Sequence, residues 1–420
     1  MKIAMFTNTY LPHVGGVARS VSCFAEAYRK LGHECLVIAP EFEEEIPDEK
    51  HVYRVPAVTN FNDSGFSFRI PFAGDVGKAL DEFEPDIIHA HHPFLLGDTA
   101  LRSAYSRDLP IVFTHHTLYE EYTNYLPFDS DFTKKAAAEI ATGFANGTSM
   151  VFAPSGSVAD LIKERGVESP VVVQPTGIAV QSFASGQGDR FRSKHEIPAD
   201  AMVIGHVGRI AKEKNLAYLA EACCTAVTDL ENAYFVLVGS GEEEDEIHSI
   251  IEKNGLSERF LATGSLSGDD LYDAYASFDI FAFASQSETQ GLVLAEAMAG
   301  GAPVVALDAP GVRDVMTDGE NGIMLKAEAT PDEFAAATVS VLTESEKLEK
   351  LRKGASETAE AFSEMNMARS AIEAYEKAIN SHTGWIEETG IENFDKIIAN
   401  IEGELQLLKV KASTISAALD

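Results

Sequence analysis

Short continuous apolar runs alternate along the chain with longer stretches in which apolar residues recur every three or four positions. The runs at 3–7, 34–39, 87–90, 111–114, 150–153 and 171–174 read as strands of one sheet, and those at 202–206, 234–238, 280–284 and 304–306 as strands of a second. Each run is apolar at successive rather than alternate positions, so both faces of each strand are covered. Each is followed by a polar loop and then a helical pattern. That rhythm predicts parallel sheets flanked by helices, an α/β chain of two doubly wound domains. The stretch 183–200, rich in glycine, serine and charge, breaks the rhythm and is expected to be a linker. It separates a first domain over 1–182 from a second over 201–365, with helices over 366–420. Ligands of such folds bind beyond the carboxyl ends of the strands, so the two sheets are expected to face a cleft. In the tail, Ile391, Phe394, Ile398, Ile401, Leu405, Leu408, Ala412 and Ile415 recur by threes and fours as a heptad-like stripe over 391–415. Two readings stay open for it: a surface that pairs copies into a homo-oligomer, or a helix packed on its own first domain.

Length and composition narrow the class. The 420 residues suffice for two full cores, and 45% hydrophobic with 24% charged residues is ordinary for a globular protein. The opening residues read as a buried strand rather than a secretory leader, and no run is long enough to span a membrane. Cys23, Cys35, Cys223 and Cys224 form no CxxC pair, which fits a reducing cytoplasm. The net charge of −33 argues against a nucleic-acid binder, which needs clustered Lys and Arg. It leaves at most weak peripheral contact with anionic lipid. Lys134-Lys135 and Arg29-Lys30 are the candidate basic pairs for such contact.

Against that acidic background, four motifs carry chemistry. Seven residues separate Glu288 from Glu296, in a segment that leaves a strand, turns at Gly291 and enters an apolar helix. Carboxylates accept hydrogen bonds from hydroxyls, and the amides of a helix N-terminus attract an anion. The segment therefore suits a ligand with hydroxyls at both ends and an anionic middle, such as a nucleotide sugar. A second motif, Gly208-Arg209-Ile210-Ala211-Lys212-Glu213-Lys214, follows a strand and could clamp a diphosphate between Arg209 and Lys214. A third, Gly15-Gly16, follows the first strand and opens a helix, where bare amides can meet a phosphate. It is not a dinucleotide fingerprint. The fourth is His115-His116, ending the strand at 111–114, beside the run His89-Ala90-His91-His92. A histidine there can donate to a sugar hydroxyl. No Asp or Cys converges on these histidines, so no metal site is expected. Asp129-Ser130-Asp131 has the DxD pattern but no preceding strand, and reads as a solvated loop.

Taken together, Gly15-Gly16, His116-Thr117, Gly208-Arg209 with Lys214, and Glu288 with Glu296 resemble the large retaining family of group 1 glycosyltransferases, over nearly the whole chain to about Asn380. The resemblance implies the GT-B fold, two Rossmann-like domains facing a cleft. The stretch from Thr114 to Tyr125 further resembles the branch containing diacylglycerol glucosyltransferases, with Asn124 in place of that branch's histidine. By the same resemblance Arg209 and Lys214 hold the donor diphosphate, Glu296 takes the ribose hydroxyls and Glu288 the transferred sugar. Gln290, Gly291 and Leu292 present amides, with Gly208 at the start of the basic loop. Gly264 and Leu266 face the base, Gly16 meets the diphosphate, and His116 sits beside the sugar ring.

The expected activity is hexosyl transfer from a UDP- or GDP-hexose to an acceptor hydroxyl, lipid or soluble, with retention. His116, Glu288, Arg209 and Lys214 are the expected catalytic group. Neither cofactor nor metal is expected, because fixed cations stabilise the leaving diphosphate. Three alternatives remain: a glycoside hydrolase using Glu288 and Glu296, a non-catalytic sugar-nucleotide sensor, and a sugar-nucleotide epimerase.

Overall fold

The computed structural model describes residues 1–12, 15–42, 49–58, 68–69, 74–116, 131–286, 288 and 290–385. The heptad-like stripe, Thr117 to Tyr125 and the pair Asp129-Ser130 lie outside them. The chain divides into two units, one of Met1–Gly177 with Met367–Asp420, the other of Ile178–Asn366.

In the first unit, seven strands form a parallel sheet: β1 (Lys2–Phe6), β2 (Glu34–Pro40), β3 (Val52–Val55), β6 (Ile87–Ala90), β7 (Ile111–Thr114), β8 (Met150–Ala153) and β9 (Val171–Val173). Their order is β3-β2-β1-β6-β7-β8-β9. Two short strands, β4 (Ala57–Val58) and β5 (Phe68–Arg69), pair antiparallel as a separate two-stranded sheet. The order runs outward from β1 on one side and from β6 on the other, so the switch point lies between β1 and β6. Residues following β1 and β6 stand at the place where doubly wound sheets bind ligands.

The second unit repeats the plan with β10 (Met202–Val207), β11 (Ala233–Val238), β12 (Phe260–Ala262), β13 (Ile280–Phe283), β14 (Val304–Leu307) and β15 (Gly322–Leu325), all parallel, in the order β12-β11-β10-β13-β14-β15. Its switch point lies between β10 and β13. Alternate strand residues feed two cores. Val203, Phe281, Phe283, Val304 and Ala306 face one, and Ile204, Ile280, Ala282, Val305 and Leu307 the other. Successive side chains of a strand point to opposite faces, which is why these strands read as unbroken apolar runs.

Besides the two-residue strands β4 and β5, three strands of the parallel sheets lay below the sequence signal: Val52–Val55, Phe260–Ala262 and Gly322–Leu325. All are short and stand at the edges of their sheets, where one side needs no apolar cover. The stretch 183–200 is not a linker. It carries the helices Val180–Ala184 and Gly188–Lys194, with Phe183 and Phe191 buried in the core of the second unit. The glycines that suggested flexibility serve close packing: a methyl group at Gly186 would lie 2.2 Å from the Tyr272 carbonyl oxygen, and one at Gly188 2.4 Å from that of Ala276. Asp273 also ties the stretch down, accepting from the Gln187 amide and pairing with Arg190.

The last described helix, Glu364–Ser381, returns the chain to the first unit from Met367 onward. Its Tyr375 is fully buried, and its hydroxyl lies 3.0 Å from that of Tyr28. Beyond it, the Trp385 indole donates to the Leu109 carbonyl at 2.8 Å.

Candidate active site

In the second unit the candidate residues gather at the switch point. The loop after β10 runs through Gly208 and Arg209 into a short 3-10 turn, Lys212–Lys214, and the helix Leu216–Asp229. Asn215 joins the two in the left-handed conformation, φ 55°, and its side chain donates to the Ala284 carbonyl just past β13. The Ser285 hydroxyl donates to the Glu213 carbonyl. The basic loop is thus laced to the far side of the switch point. That brings the Lys214 ammonium to 3.2 Å from Glu288 Oε2, with each side chain 19% exposed. Glu288 Oε1 accepts from the Gly291 amide at 3.3 Å.

Gly291 caps the helix Leu292–Ala299 with φ +69°, a conformation glycine adopts without strain. A methyl group there would sit 2.4 Å from the Gly311 carbonyl oxygen, and one on Gly311 2.6 Å from that of Glu288. The Gly311 amide donates to this Glu288 carbonyl at 3.0 Å. Two glycines in contact therefore set the backbone that carries Glu288.

The structure separates some expected partners. Arg209, largely exposed, pairs with Glu213 Oε1 at 2.6 Å, so the two cations rest on different carboxylates. Glu296 is 3% exposed and accepts from the Tyr275 hydroxyl at 2.8 Å. A carboxylate buried among apolar helix neighbours requires such a donor.

Gly264 and Leu266 follow β12. The Gly264 carbonyl accepts from the Gly239 amide at 2.9 Å, and the Gly208 amide donates to Val238 at 3.0 Å. The ends of β10, β11 and β12 are thereby stitched together. Gly239-Ser240-Gly241, which the sequence reading passed over, makes this stitch. A methyl on Gly239 would lie 1.8 Å from the Gly208 carbonyl oxygen, and Ser240 meets Ser265 hydroxyl to hydroxyl at 2.7 Å. Paired glycines directly after a strand were the available signal.

In the first unit the helix Gly16–Lys30 starts at the switch point from an extended Gly15, without a side-chain cap or an acidic residue in its first turn. Among the described residues nothing lies within 4 Å of where a methyl on Gly16 would stand. First-turn amides without a cap can take an anion. Past β6, His91 is fully buried, and its Nδ1 lies 2.8 Å from His116 Nε2. His89 bridges Thr114 Oγ1, at 2.7 Å from its Nε2, and the Tyr375 hydroxyl, at 2.5 Å from its Nδ1. Burial pushes His89 and His92 down to about 3, and holds His91 and His116 well below the usual range, with neighbouring histidines adding to the effect. All four are neutral near pH 7 and offer one donor and one acceptor each. Among the described residues no group of three or more His, Cys, Asp or Glu side chains is placed to hold a metal ion. No described helix is long and apolar enough to cross a membrane. Of the basic pairs, Arg29 is part-buried and donates to the Cys35 carbonyl at 3.0 Å, so it serves the fold.

Comparison with known proteins identifies the family and the fold. Residues 187–358 match the family model for glycosyl transferases group 1, and residues 14–182 that for glycosyltransferase family 4. The chain is 30% identical over 336 residues to a GDP-mannose-dependent alpha-mannosyltransferase of Mycobacterium tuberculosis, covering 77% of this chain and 84% of that protein. It is 28% identical over 335 residues to an alpha-monoglucosyldiacylglycerol synthase of Acholeplasma laidlawii, with the same coverage of 77% and 84%. Among solved structures, Anabaena HepE in complex with UDP superposes with a TM-score of 0.72 at 22% identity, over 90% of this chain and 100% of that one. The chain is a glycosyltransferase of the GT-B fold, and it belongs to the group 1 glycosyltransferase family.

Proposed function

We propose that the protein moves a hexosyl unit from a nucleoside-diphosphate hexose to an acceptor hydroxyl, with retention at the anomeric carbon. The observation that carries this reading is the constellation at the second switch point. A lysine, a carboxylate and the amide end of a helix converge there, through Lys214, Glu288 and Gly291. A lysine and helix amides suit a diphosphate, and a carboxylate beside them suits sugar hydroxyls. Arg209 and Lys214 would bind the diphosphate and stabilise the charge that grows on it as the glycosidic bond breaks. Lys214 would exchange part of its contact with Glu288 for the phosphate, freeing a Glu288 oxygen for the sugar. Gln290, Gly291 and Leu292 would offer amides, Glu296 would meet the ribose, and Gly264 and Leu266 would line the base. In the first unit Gly16 would meet the diphosphate and His116 the sugar ring. With two cations assigned to the leaving group, the reading requires neither metal nor cofactor.

For the acceptor, one named relative points to a diacylglycerol, while the other is named for its donor, GDP-mannose, and names no acceptor. We favour a lipid or glycan hydroxyl, with the base uridine or guanosine. Use of Glu288 and Glu296 as the paired carboxylates of a hydrolase is disfavoured. Glu288 is tied to Lys214, and a plain glycoside would bring no anion for the Lys214 and Arg209 cations.

The test is a panel of UDP- and GDP-hexoses, each assayed for nucleoside-diphosphate release with diacylglycerol in mixed micelles and with soluble glycans. Turnover of one donor only in the presence of an acceptor supports the reading. Release of sugar from a glycoside without any nucleotide contradicts it.

A further inference from the structure

We propose that His91 is a positioning residue for the transfer, donating its Nδ1 proton to His116 Nε2 and so leaving the one donor of His116 on its Nδ1. This rests on the reading above, in which His116 sits beside the transferred sugar. Two neutral histidines whose ring nitrogens meet at 2.8 Å must share a single proton, and geometry alone allows either to give it. The far side of His91 decides between them. Among the described residues its Nε2 is buried without a hydrogen-bond partner. If His116 donated, His91 would carry its own proton on Nε2, burying an N–H with no acceptor. If His91 donates, Nε2 is a bare lone pair, the less costly of the two orphans.

The pair is also braced on both sides. The His91 amide donates to the Phe6 carbonyl at 2.9 Å, and the His116 amide to that of Thr114 at 3.1 Å. The His91 ring lies against that of His89, centroids 4.0 Å apart, and His89 is itself held between Tyr375 and Thr114. The side chain is therefore fixed before any ligand arrives. Titratable groups around His91 are His89, His92 and His116, and burial keeps it neutral. In this arrangement the His116 Nδ1 proton is the one that His116 would offer to a sugar oxygen.

The assignment is read directly by long-range proton–nitrogen correlation on the full-length protein labelled with nitrogen-15 histidine, with His116→Gln identifying the resonances. An Nδ1–H signature for His116 is expected; an Nε2–H signature overturns the proposal. His91→Phe keeps a ring but removes the donor. It is expected to lower kcat roughly 10- to 100-fold while donor KM moves little, the pattern of a lost orienting contact. His91→Asn keeps a donor at the Nδ1 position and is expected to restore most of kcat. Wild-type kcat in a folded His91→Phe overturns the proposal, as does failure of His91→Asn to exceed His91→Phe. If no nucleotide sugar is turned over by the wild type, the reading of function fails instead, and the nitrogen spectrum still decides the histidine pair.

Discussion

Lys214 and Glu288, 74 positions apart in the chain, meet at 3.2 Å with four-fifths of each side chain withdrawn from solvent. A largely buried ion pair contributes modestly to stability, because desolvation offsets much of the attraction. Its placement at the β10–β13 switch point argues for a role in binding.

Lys214→Ala and Glu288→Gln are each expected to lower kcat by about 10²- to 10³-fold, the range for loss of one preorganised group that meets developing charge. Melting should change little in comparison. Initial rates and thermal unfolding of the same preparations check both halves. A variant that melts normally and turns over at the wild-type rate would remove that residue from the site.

The glycines near this pair should separate by what surrounds them. Gly311→Ala drives a methyl toward the Glu288 carbonyl, and Gly291→Ala adds a left-handed backbone to a clash with Gly311. Each is expected to destabilise by about 1–3 kcal/mol and to raise donor KM by displacing Glu288. Gly16→Ala meets no atom within 4 Å among the described residues, so it should melt as the wild type does. A raised donor KM in a normally melting Gly16→Ala would place ligand in that space; an unchanged KM would take the donor away from it.

Tyr275→Phe removes one hydrogen-bond donor from Glu296, a carboxylate only 3% exposed. A buried carboxylate short of a donor costs about 1–3 kcal/mol, and denaturant unfolding should show that loss. Stability equal to the wild type would mean that the Tyr275 contact is not needed to hold Glu296.

Much of this was legible before the structure. The alternation of buried strands and helices fixed the class, and Gly208 to Lys214 and Glu288 to Glu296 carry their chemistry in adjacent charged residues. Three things were hidden for physical reasons. Edge strands such as Val52–Val55 are covered on fewer sides and lose the apolar run. Gly311 acts through a close backbone approach to Glu288 that leaves no sequence pattern. The Tyr375–His89 contact joins residues 286 positions apart and leaves no local pattern. The stretch 183–200 misled because its glycines permit tight packing rather than flexibility.

Buried histidines give the protein an acid sensitivity of definite sign. His89 and His92 are held at about 3 and His206 at about 4, against an ordinary 6.5, all by burial. Below 6.5 the unfolded chain takes up protons that the folded chain refuses. The stability is therefore complete above that value and is lost as pH falls toward the folded values, by ~1.4 kcal/mol per pH unit per histidine. His206→Asn keeps a donor for the Ala282 carbonyl and removes one titration. Urea midpoints measured from neutral to mildly acidic pH should fall less steeply in this variant. An unchanged slope would mean that His206 does not take part.

The central claim is that the Lys214–Glu288–Gly291 constellation binds a nucleotide sugar for transfer. The most direct measurement follows one turnover of the preferred donor by nuclear magnetic resonance, with wild type and Glu288→Gln side by side. The account predicts one nucleoside diphosphate released per glycoside formed, the donor's anomeric configuration kept in the product, and both signals lost together in the variant. Inverted product, or transfer that survives Glu288→Gln unchanged, would contradict it.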